Sequence, residues 1–408
     1  MSMAVRSGRL WACKQHGALV LLLLILAAIL VILHRVLQSP LLNQYAILQD
    51  HLERRQSAPN TRSIRSTRTI LLWSDFFGDP RWKLSWDTLG PQQLLDELHC
   101  PVYQCKLSNQ HDFLPAVELY DAIVFHAAEM FPLLRPVPHQ RSAHQVYVFA
   151  LMEPPGETKH RLDDESGFYN LTMTYRLDSD VVWPYGQLLD IETDALVAPS
   201  VRPHWRRPPA AFNDSAIWNL WAGKTKMVAW FVSHCETLSK REILAKRLQE
   251  FVEVDIYGKC GTLSCERGDP RCESMLDTDY LFYLAFENSL CEDYVTEKLF
   301  NILHRNIIPV VFGGADYSRI LPPHSYIDAN RFETVADLAR HLSYVAGNPK
   351  EYVGYFWWRR HYRLASSSPF CDLCARLHAP GFGHKTQVYG DIQSWWFNSC
   401  RMESQIGL

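Results

Sequence analysis

The sequence predicts an α/β protein: two Rossmann-like domains in series, facing a cleft, behind an N-terminal transmembrane anchor. Three observations predict it. Short apolar segments alternate with helix-like ones from about Thr69 onward. A second series of the same kind starts cleanly after Pro199 to Trp221, a stretch crowded with proline and tryptophan. Ahead of both lies Gly17 to Leu33, GALVLLLLILAAILVIL, an apolar run without a charge.

That run sits at the short end of the roughly 17–25 residues that span a bilayer. It has no polar face at helical period, which excludes a surface helix of a globular core. His34-Arg35-Val36-Leu37 follows it in place of a small-x-small cleavage site, so an uncleaved signal anchor is expected. Arg6, Arg9 and Lys14 precede it and Arg35 follows. The positive-inside rule then leaves residues 1–16 as a cytosolic tail and the body in the lumen, a type II topology. Residues 34–68 are polar and lack periodicity, and they read as a stem whose arginines are simply solvated.

The first domain spans residues 69–215. Ile70 to Trp73, Ala122 to Phe125 and Val146 to Leu151 read as buried strands, and Gln92 to Leu98 as a helix. The second spans 222–350. Met227 to Val232 is a strand, and Ser239 to Phe251 a helix opened by a capping box of Ser239 and Glu242. Val252 to Tyr257 and Tyr280 to Phe286 are strands, a helix covers Tyr294 to His304, and Ile307 to Phe312 is a strand. Residues 351–408 form a closing segment.

The 408 residues allow two domains plus an anchor, and 47% hydrophobic with 21% charged residues is ordinary for a globular protein. A net charge of −3 argues against a nucleic-acid binder. Of the 11 cysteines, Cys13 precedes the anchor and ten follow it, an even number that suits disulfides in an oxidising compartment. Cys100-x4-Cys105 and Cys371-x2-Cys374 also have zinc-ligand spacing, which the predicted compartment disfavours. Asn170-Leu171-Thr172 and Asn213-Asp214-Ser215 are N-glycosylation sequons.

The chemistry points to the loop after Phe286. In open α/β sheets, ligands lie at the carboxyl ends of strands. There the loop Glu287 to Asp293 leads into a helix with the apolar stripe Val295, Leu299, Ile302 and Leu303. Glu297 and Lys298 fall in its first turn, where the helix dipole favours the glutamate and opposes the lysine. Arg241 repeats the pattern in the helix after Ser239. Two cations at helix N-termini suggest a diphosphate site, against the alternative of plain surface charge. Neither a Walker A motif nor a GxGxxG fingerprint is present. Asp178-Ser179-Asp180 and Asp277-Thr278-Asp279 have the form of metal-binding DxD motifs and read as structural hydrogen-bonding groups.

FYLAFENS (Phe282 to Ser289), DYVTEKLFN (Asp293 to Asn301) and IIPVVFGGADY (Ile307 to Tyr317) resemble the donor-binding signature of the α1,3-fucosyltransferases. The resemblance runs from about Ile70 to Asn398 and includes LTMTYRLDSDVVWPYG (Leu171 to Gly186), AWFVS (Ala229 to Ser233) and Phe370-Cys371-Asp372-Leu373-Cys374. DFFGDPRW (Asp75 to Trp82) and VDIYGKCGTLSC (Val254 to Cys265) are most similar to core-type enzymes, which act on the innermost GlcNAc of N-glycans. The Lewis-type branch, acting on antennary GlcNAc, matches less well there.

The resemblance implies the GT-B layout, GDP-β-L-fucose as donor, inverting transfer to a glycoprotein N-glycan, and a Golgi membrane location. It places Arg241 and Lys298 on the diphosphate and Glu297 and Asn288 on fucose or ribose hydroxyls. Tyr175, Ser233, Tyr283 and Tyr294 fall on further donor-site positions. The general base corresponds to Glu153. The family usually shows Glu-Ser-Pro-x-His there, whereas this chain has Glu153-Pro154-Pro155-Gly156-Glu157, which makes Glu157 a lesser candidate. His234 stands where the family commonly has Asn. No cofactor or catalytic metal is implied. Cys371 and Cys374 would pair with Cys100 and Cys105 in some order, drawing residues 351–408 back onto the acceptor-side domain. The alternatives are a Lewis-type enzyme and a Golgi sugar-nucleotide- or glycan-binding protein that has lost catalysis.

Overall fold

The computed structural model describes residues 67–82, 84, 95, 100–129, 141–158, 161–162, 165–266, 268–366, 368–380, 382 and 388–407. The apolar run 17–33, the stem up to residue 66 and the Gln92 to Leu98 helix apart from Leu95 lie outside them. Among the described residues, no helix is long and apolar enough to cross a membrane.

Two parallel sheets carry the fold. The first has six strands: β1 (Arg68–Leu72), β2 (Cys105–Ser108), β3 (Ala122–His126), β4 (Val146–Leu151), β5 (Leu171–Thr174) and β6 (Val181–Val182), in the order β2-β1-β3-β4-β5-β6. A parallel sheet is covered on both faces, so its strands read as continuous apolar runs. All six residues of β4 are buried. Val146, Val148 and Ala150 enter one core, and Tyr147, Phe149 and Leu151 the other.

A three-stranded antiparallel sheet joins β7 (Gln187–Asp190) and β8 (Leu196–Ala198) to β15 (Tyr362–Ala365). The sequence gives little sign of it, because its strands are short and the pairing of β7 with β15 is remote in the chain. The Pro199 to Trp221 segment also contains the start of a helix not anticipated from sequence, α1 (Ser215–Gly223). The Asp214 carboxylate caps it by accepting from the Ala216 and Ile217 N–H groups.

The second parallel sheet has five strands: β9 (Lys226–Phe231), β10 (Val254–Tyr257), β11 (Tyr280–Phe286), β13 (Ile308–Phe312) and β14 (Ile327–Asp328), in the order β10-β9-β11-β13-β14. Central β11 is buried along its whole length. It sends Phe282, Leu284 and Phe286 into one core and Tyr283 and Ala285 into another. Helices α2 (Arg241–Leu248), α3 (Pro270–Thr278), α5 (Val335–Gly347) and α6 (Pro349–Gly354) accompany this sheet.

Two predicted helices need correction. The helix expected from Ser239 begins at Arg241, and the capping box is absent. The Ser239 hydroxyl instead donates to the Glu287 carbonyl at 2.7 Å. The Glu242 carboxylate accepts from Thr237 Oγ1 at 2.9 Å. The helix expected over Tyr294 to His304 is only α4 (Glu297–Phe300). Beyond it the Ile302 and Arg305 N–H groups bond to the carbonyls three residues earlier, Leu299 and Ile302, which tightens the coil past α-helical pitch. The apolar stripe is nevertheless buried as read from the sequence.

The segment beyond residue 365 returns to the first sheet. In α7 (Pro369–Leu377), Phe370, Leu373 and Leu377 pack into the core that holds Val148. In α8 (Ile392–Phe397), Ile392 and Trp396 pack into the core that holds Phe149. Disulfides Cys100–Cys371 and Cys105–Cys374 fasten it. Cys235–Cys260, Cys265–Cys272 and Cys291–Cys400 complete the pairing of all ten cysteines after residue 17. The last joins β12 (Leu290–Cys291) to β16 (Cys400–Arg401). Cys105 and Cys374 also lie near His378, but their sulfurs are bonded to each other, which removes them as zinc ligands.

Candidate active site

The carboxyl edge of the second sheet opens into a cavity of about 1000 Å³. Six residues assigned from sequence line it: Ser233, Arg241, Tyr283, Asn288, Glu297 and Lys298. Ser233 follows β9, Tyr283 lies within β11, and Asn288 follows β11. Gly258, in the left-handed region at φ 95°, belongs to the same wall, and a Cβ there would meet the Val232 carbonyl oxygen at 2.5 Å.

Arg241 is 3% exposed. Its Nη1 donates to the Phe286 carbonyl at 2.6 Å and its Nη2 to the His234 carbonyl at 3.2 Å. Its Nε is buried without a partner among the described residues. Burial lowers its pKa, and the charge of Glu287 is foremost among those opposing that shift. Carbonyl dipoles thus hold a buried cation that makes no direct carboxylate contact among the described residues, an arrangement suited to an anionic ligand.

Lys298 is organised differently. Its Nζ donates to Glu287 Oε2 at 3.1 Å, Thr296 Oγ1 at 2.9 Å and Glu297 Oε1 at 3.4 Å. Burial opposes its charge, but Glu287 and Glu297 outweigh burial and the pKa is raised. A one-turn helix has little macrodipole, so the helix-terminus argument that singled out this lysine gives way to a different cause. That cause is Glu287, which is fully buried and accepts from the Thr296 N–H at 2.8 Å. Burial raises the Glu287 pKa, while Lys298 and the Thr296 N–H pull it down. The sequence reading gave Glu287 no role. The signal was available: an acid directly after a seven-residue apolar strand needs a partner, and Lys298 is near in sequence.

Glu153 follows β4, at the carboxyl edge of the first sheet. Burial raises its pKa, Lys298 lowers it, and Glu297, Glu157 and Glu287 raise it further. Those influences bring it within electrostatic reach of the cavity's charges. Glu157 also reaches the second sheet's side: Asn288 Nδ2 donates to its Oε1 at 3.3 Å, and His234 Nδ1 lies 3.9 Å from the same oxygen. Burial pushes the Tyr283 phenol up to about 12.

Tyr175 and Tyr294 are not among the residues lining the cavity. They are almost fully buried, with ring centroids 5.0 Å apart. Both have pKa values raised well above 10 by burial. The Tyr175 hydroxyl has no partner among the described residues.

Both DxD segments are engaged in structural contacts. Asp178 accepts from Arg176 and Trp395, and Asp180 from Thr172, Tyr389 and Arg376. Asp277 accepts from Arg305 and from the Asn306 N–H. Asn213 is exposed beside the start of α1. Asn170 is half-buried, and its Oδ1 accepts from the Tyr147 N–H at 2.8 Å.

Comparison with known proteins matches residues 221–395 to the family described as Glycosyltransferase family 10 (fucosyltransferase) C-term, and residues 65–186 to Fucosyltransferase, N-terminal. The chain is 77% identical to alpha-(1,3)-fucosyltransferase C of Drosophila melanogaster over 408 residues, 100% of this chain and 95% of the relative. It is 35% identical to alpha-(1,3)-fucosyltransferase fut-1 of Caenorhabditis elegans over 341 residues, 81% of this chain and 72% of the relative. A crystal structure of an alpha1,3-fucosyltransferase with GDP-fucose overlaps 71% of this chain and 81% of its own, at 14% identity and a TM-score of 0.45.

Proposed function

The chain belongs to the glycosyltransferase family 10 fucosyltransferases, and from that premise we propose how an α1,3-fucosyltransferase using GDP-fucose divides its work between two sheet edges. Arg241 and Lys298 hold the diphosphate on the second edge. Glu153, on the first, takes the proton from the acceptor hydroxyl. The observation that carries this reading is the contrast across the site: the cations Arg241 and Lys298 line the cavity beside Arg305, which Glu273 and Asp277 already engage, and a carboxylate with a raised pKa stands within reach of Lys298.

As the C1–O bond to the diphosphate breaks, positive charge develops on the sugar and negative charge on the leaving group. Arg241 and Lys298 stabilise the latter where it forms. The acceptor oxygen attacks C1 from the face opposite the diphosphate, which inverts the configuration. Glu153 accepts its proton, and a carboxylate pKa moved upward toward the working pH improves that transfer. Ser233, Tyr283, Asn288 and Glu297 line the cavity and contact the rest of the donor. Tyr175 and Tyr294 lie in the core that holds Phe149 and Trp396, outside this wall. With two fixed cations at the diphosphate, catalysis needs no divalent ion, so activity should survive chelation.

We favour the innermost N-glycan GlcNAc as acceptor, a type II Golgi-membrane location and a GT-B layout. DFFGDPRW and VDIYGKCGTLSC support the core acceptor through their similarity to core-type enzymes, and the first of them follows β1 at the same sheet edge as Glu153. The parallel sheets support GT-B, and the apolar run 17–33 supports the anchor. Incubation with GDP-fucose and defined N-glycans, followed by linkage analysis, tests the acceptor. Product on antennae alone would favour the Lewis-type reading. Product from the wild type but not from Glu153→Gln, with GDP binding kept, supports the base; no product from either would favour a binding protein.

A further inference from the structure

The turn after β1 holds two bulky residues in the left-handed backbone region, Phe77 at φ 52° and Trp82 at φ 54°. Residues with large side chains seldom adopt it, and such strain concentrates at functional sites. Phe77 is also 47% exposed, with its ring edge-on to His126 at 4.6 Å between centroids. His126 ends β3 and is fully buried among the rings of Phe76, Phe77 and Trp82. Neither of its ring nitrogens completes a hydrogen bond among the described residues. Burial pulls its pKa down to about 4; the Asp75 backbone lies near enough to oppose this without reaching hydrogen-bond geometry. The ring is therefore a neutral imidazole, with one donor and one acceptor unused.

The sheet register fixes where this pair lies. His126 pairs with Ala150 of the neighbouring strand β4, and Glu153 follows two residues past the end of that strand. At about 4.8 Å between strands and 3.3 Å per residue, the imidazole's backbone is on the order of 11 Å from that of Glu153.

We propose that Phe77 and His126 form the seat for a pyranose ring of the acceptor, an assignment that rests on the fucosyl-transfer reading above. A pyranose presents a face of C–H bonds and a rim of hydroxyls. The exposed Phe77 ring takes the face. When the Phe77 side chain turns away from its edge-on contact, the His126 imidazole is uncovered for a rim hydroxyl. An apolar peptide would cover Phe77 equally well but leave the imidazole unpaired, which favours a sugar as the occupant. The seat lies on the sheet edge that carries Glu153, one strand away from it. Phe77 and His126 are thus specificity-determining residues for the acceptor, separate from the donor-binding wall.

Phe77→Gly separates this role from a structural one. Glycine relieves the positive φ and removes the ring, so the melting temperature should hold or rise. The acceptor KM should rise at least about tenfold, while the GDP Kd stays within about twofold. Phe77→Tyr should restore the acceptor KM. His126→Phe should keep the fold, raise the acceptor KM and leave GDP binding alone. The probes are a chitobiose-core glycopeptide and an N-acetyllactosamine oligosaccharide, and KM is measured on whichever the wild type fucosylates. An acceptor KM within about twofold of wild type for Phe77→Gly overturns the seat, as does a parallel loss of GDP affinity. If the wild type fucosylates neither probe, the transfer reading fails first, and the seat fails with it.

Discussion

Glu287→Gln tests the cause assigned to the position of Lys298. The two side chains are 3.1 Å apart, with the glutamate 1% and the lysine 25% exposed. At an effective dielectric of about 20, unit charges at that distance attract by about 5 kcal/mol before desolvation is subtracted. Removing one member of a buried pair typically costs about 3–5 kcal/mol. Glutamine keeps an oxygen for the Thr296 N–H, so the lower end, about 3 kcal/mol, is expected. At about 2–4 °C per kcal/mol for domains of 150–250 residues, the melting temperature should fall by about 6–12 °C. GDP binding should move the other way. Glu287 repels the diphosphate as well as holding Lys298, so the variant should bind GDP as tightly as wild type or more tightly. Differential scanning calorimetry and GDP titration calorimetry read both quantities. A melting temperature within about 1 °C of wild type would refute the buried pair as a stabilising element. Loss of GDP binding in a folded variant would refute the view that, of this pair, only Lys298 faces the diphosphate.

As the proposed base Glu153 would act as the carboxylate, and its pKa is raised, chiefly by burial. The acid limb of kcat/KM should therefore lie above the ordinary glutamate range, with activity falling as pH drops through it, and the limb should vanish in Glu153→Gln. Arg241→Met should lower kcat by about 10²–10³ through loss of one stabilising cation, and steady-state kinetics at saturating acceptor will detect it. Undiminished turnover there would remove Arg241 from the diphosphate site. Joint replacement of Cys371 and Cys374 by Ser opens two long loops and should cost at least about 2–5 kcal/mol, the usual loss for one native disulfide. Chemical denaturation measures this, and an unchanged midpoint would show that helix packing alone holds the segment.

Much of both parallel sheets is legible in the sequence. Val146–Leu151 and Tyr280–Phe286 are continuous apolar runs because helices and loops cover both of their faces, and no other element accounts for such runs at that length. Helix ends are less legible. Ser239 and Glu242 have the right spacing for a capping box, but the Ser239 hydroxyl donates to the remote Glu287 carbonyl while accepting from the Arg241 N–H, and Glu242 turns to nearby Thr237. The site divides in the same manner. Charged residues next to strand ends stand out, so Arg241 and Lys298 could be found. The burial of Glu287, and of Tyr175 and Tyr294 in the core that holds Trp396, depends on packing between remote segments and leaves no periodic trace. Disulfide connectivity is similar: cysteine number points to an oxidised framework, whereas the pairing of Cys291 with Cys400 requires the fold.

The return of α7 and α8 to the first sheet has a consequence for synthesis on the ribosome. β1 through β5 emerge early, yet part of the cover on each face of their sheet arrives only with Phe370 and Trp396. Cys105 waits 269 residues for Cys374. At about 5–20 residues per second, that interval is roughly 15–55 s. During it the first-made sheet carries apolar surface and unpaired thiols, while the second sheet is translated and can fold. The amino-terminal half is therefore completed last, when Cys371 and Cys374 close its two bridges.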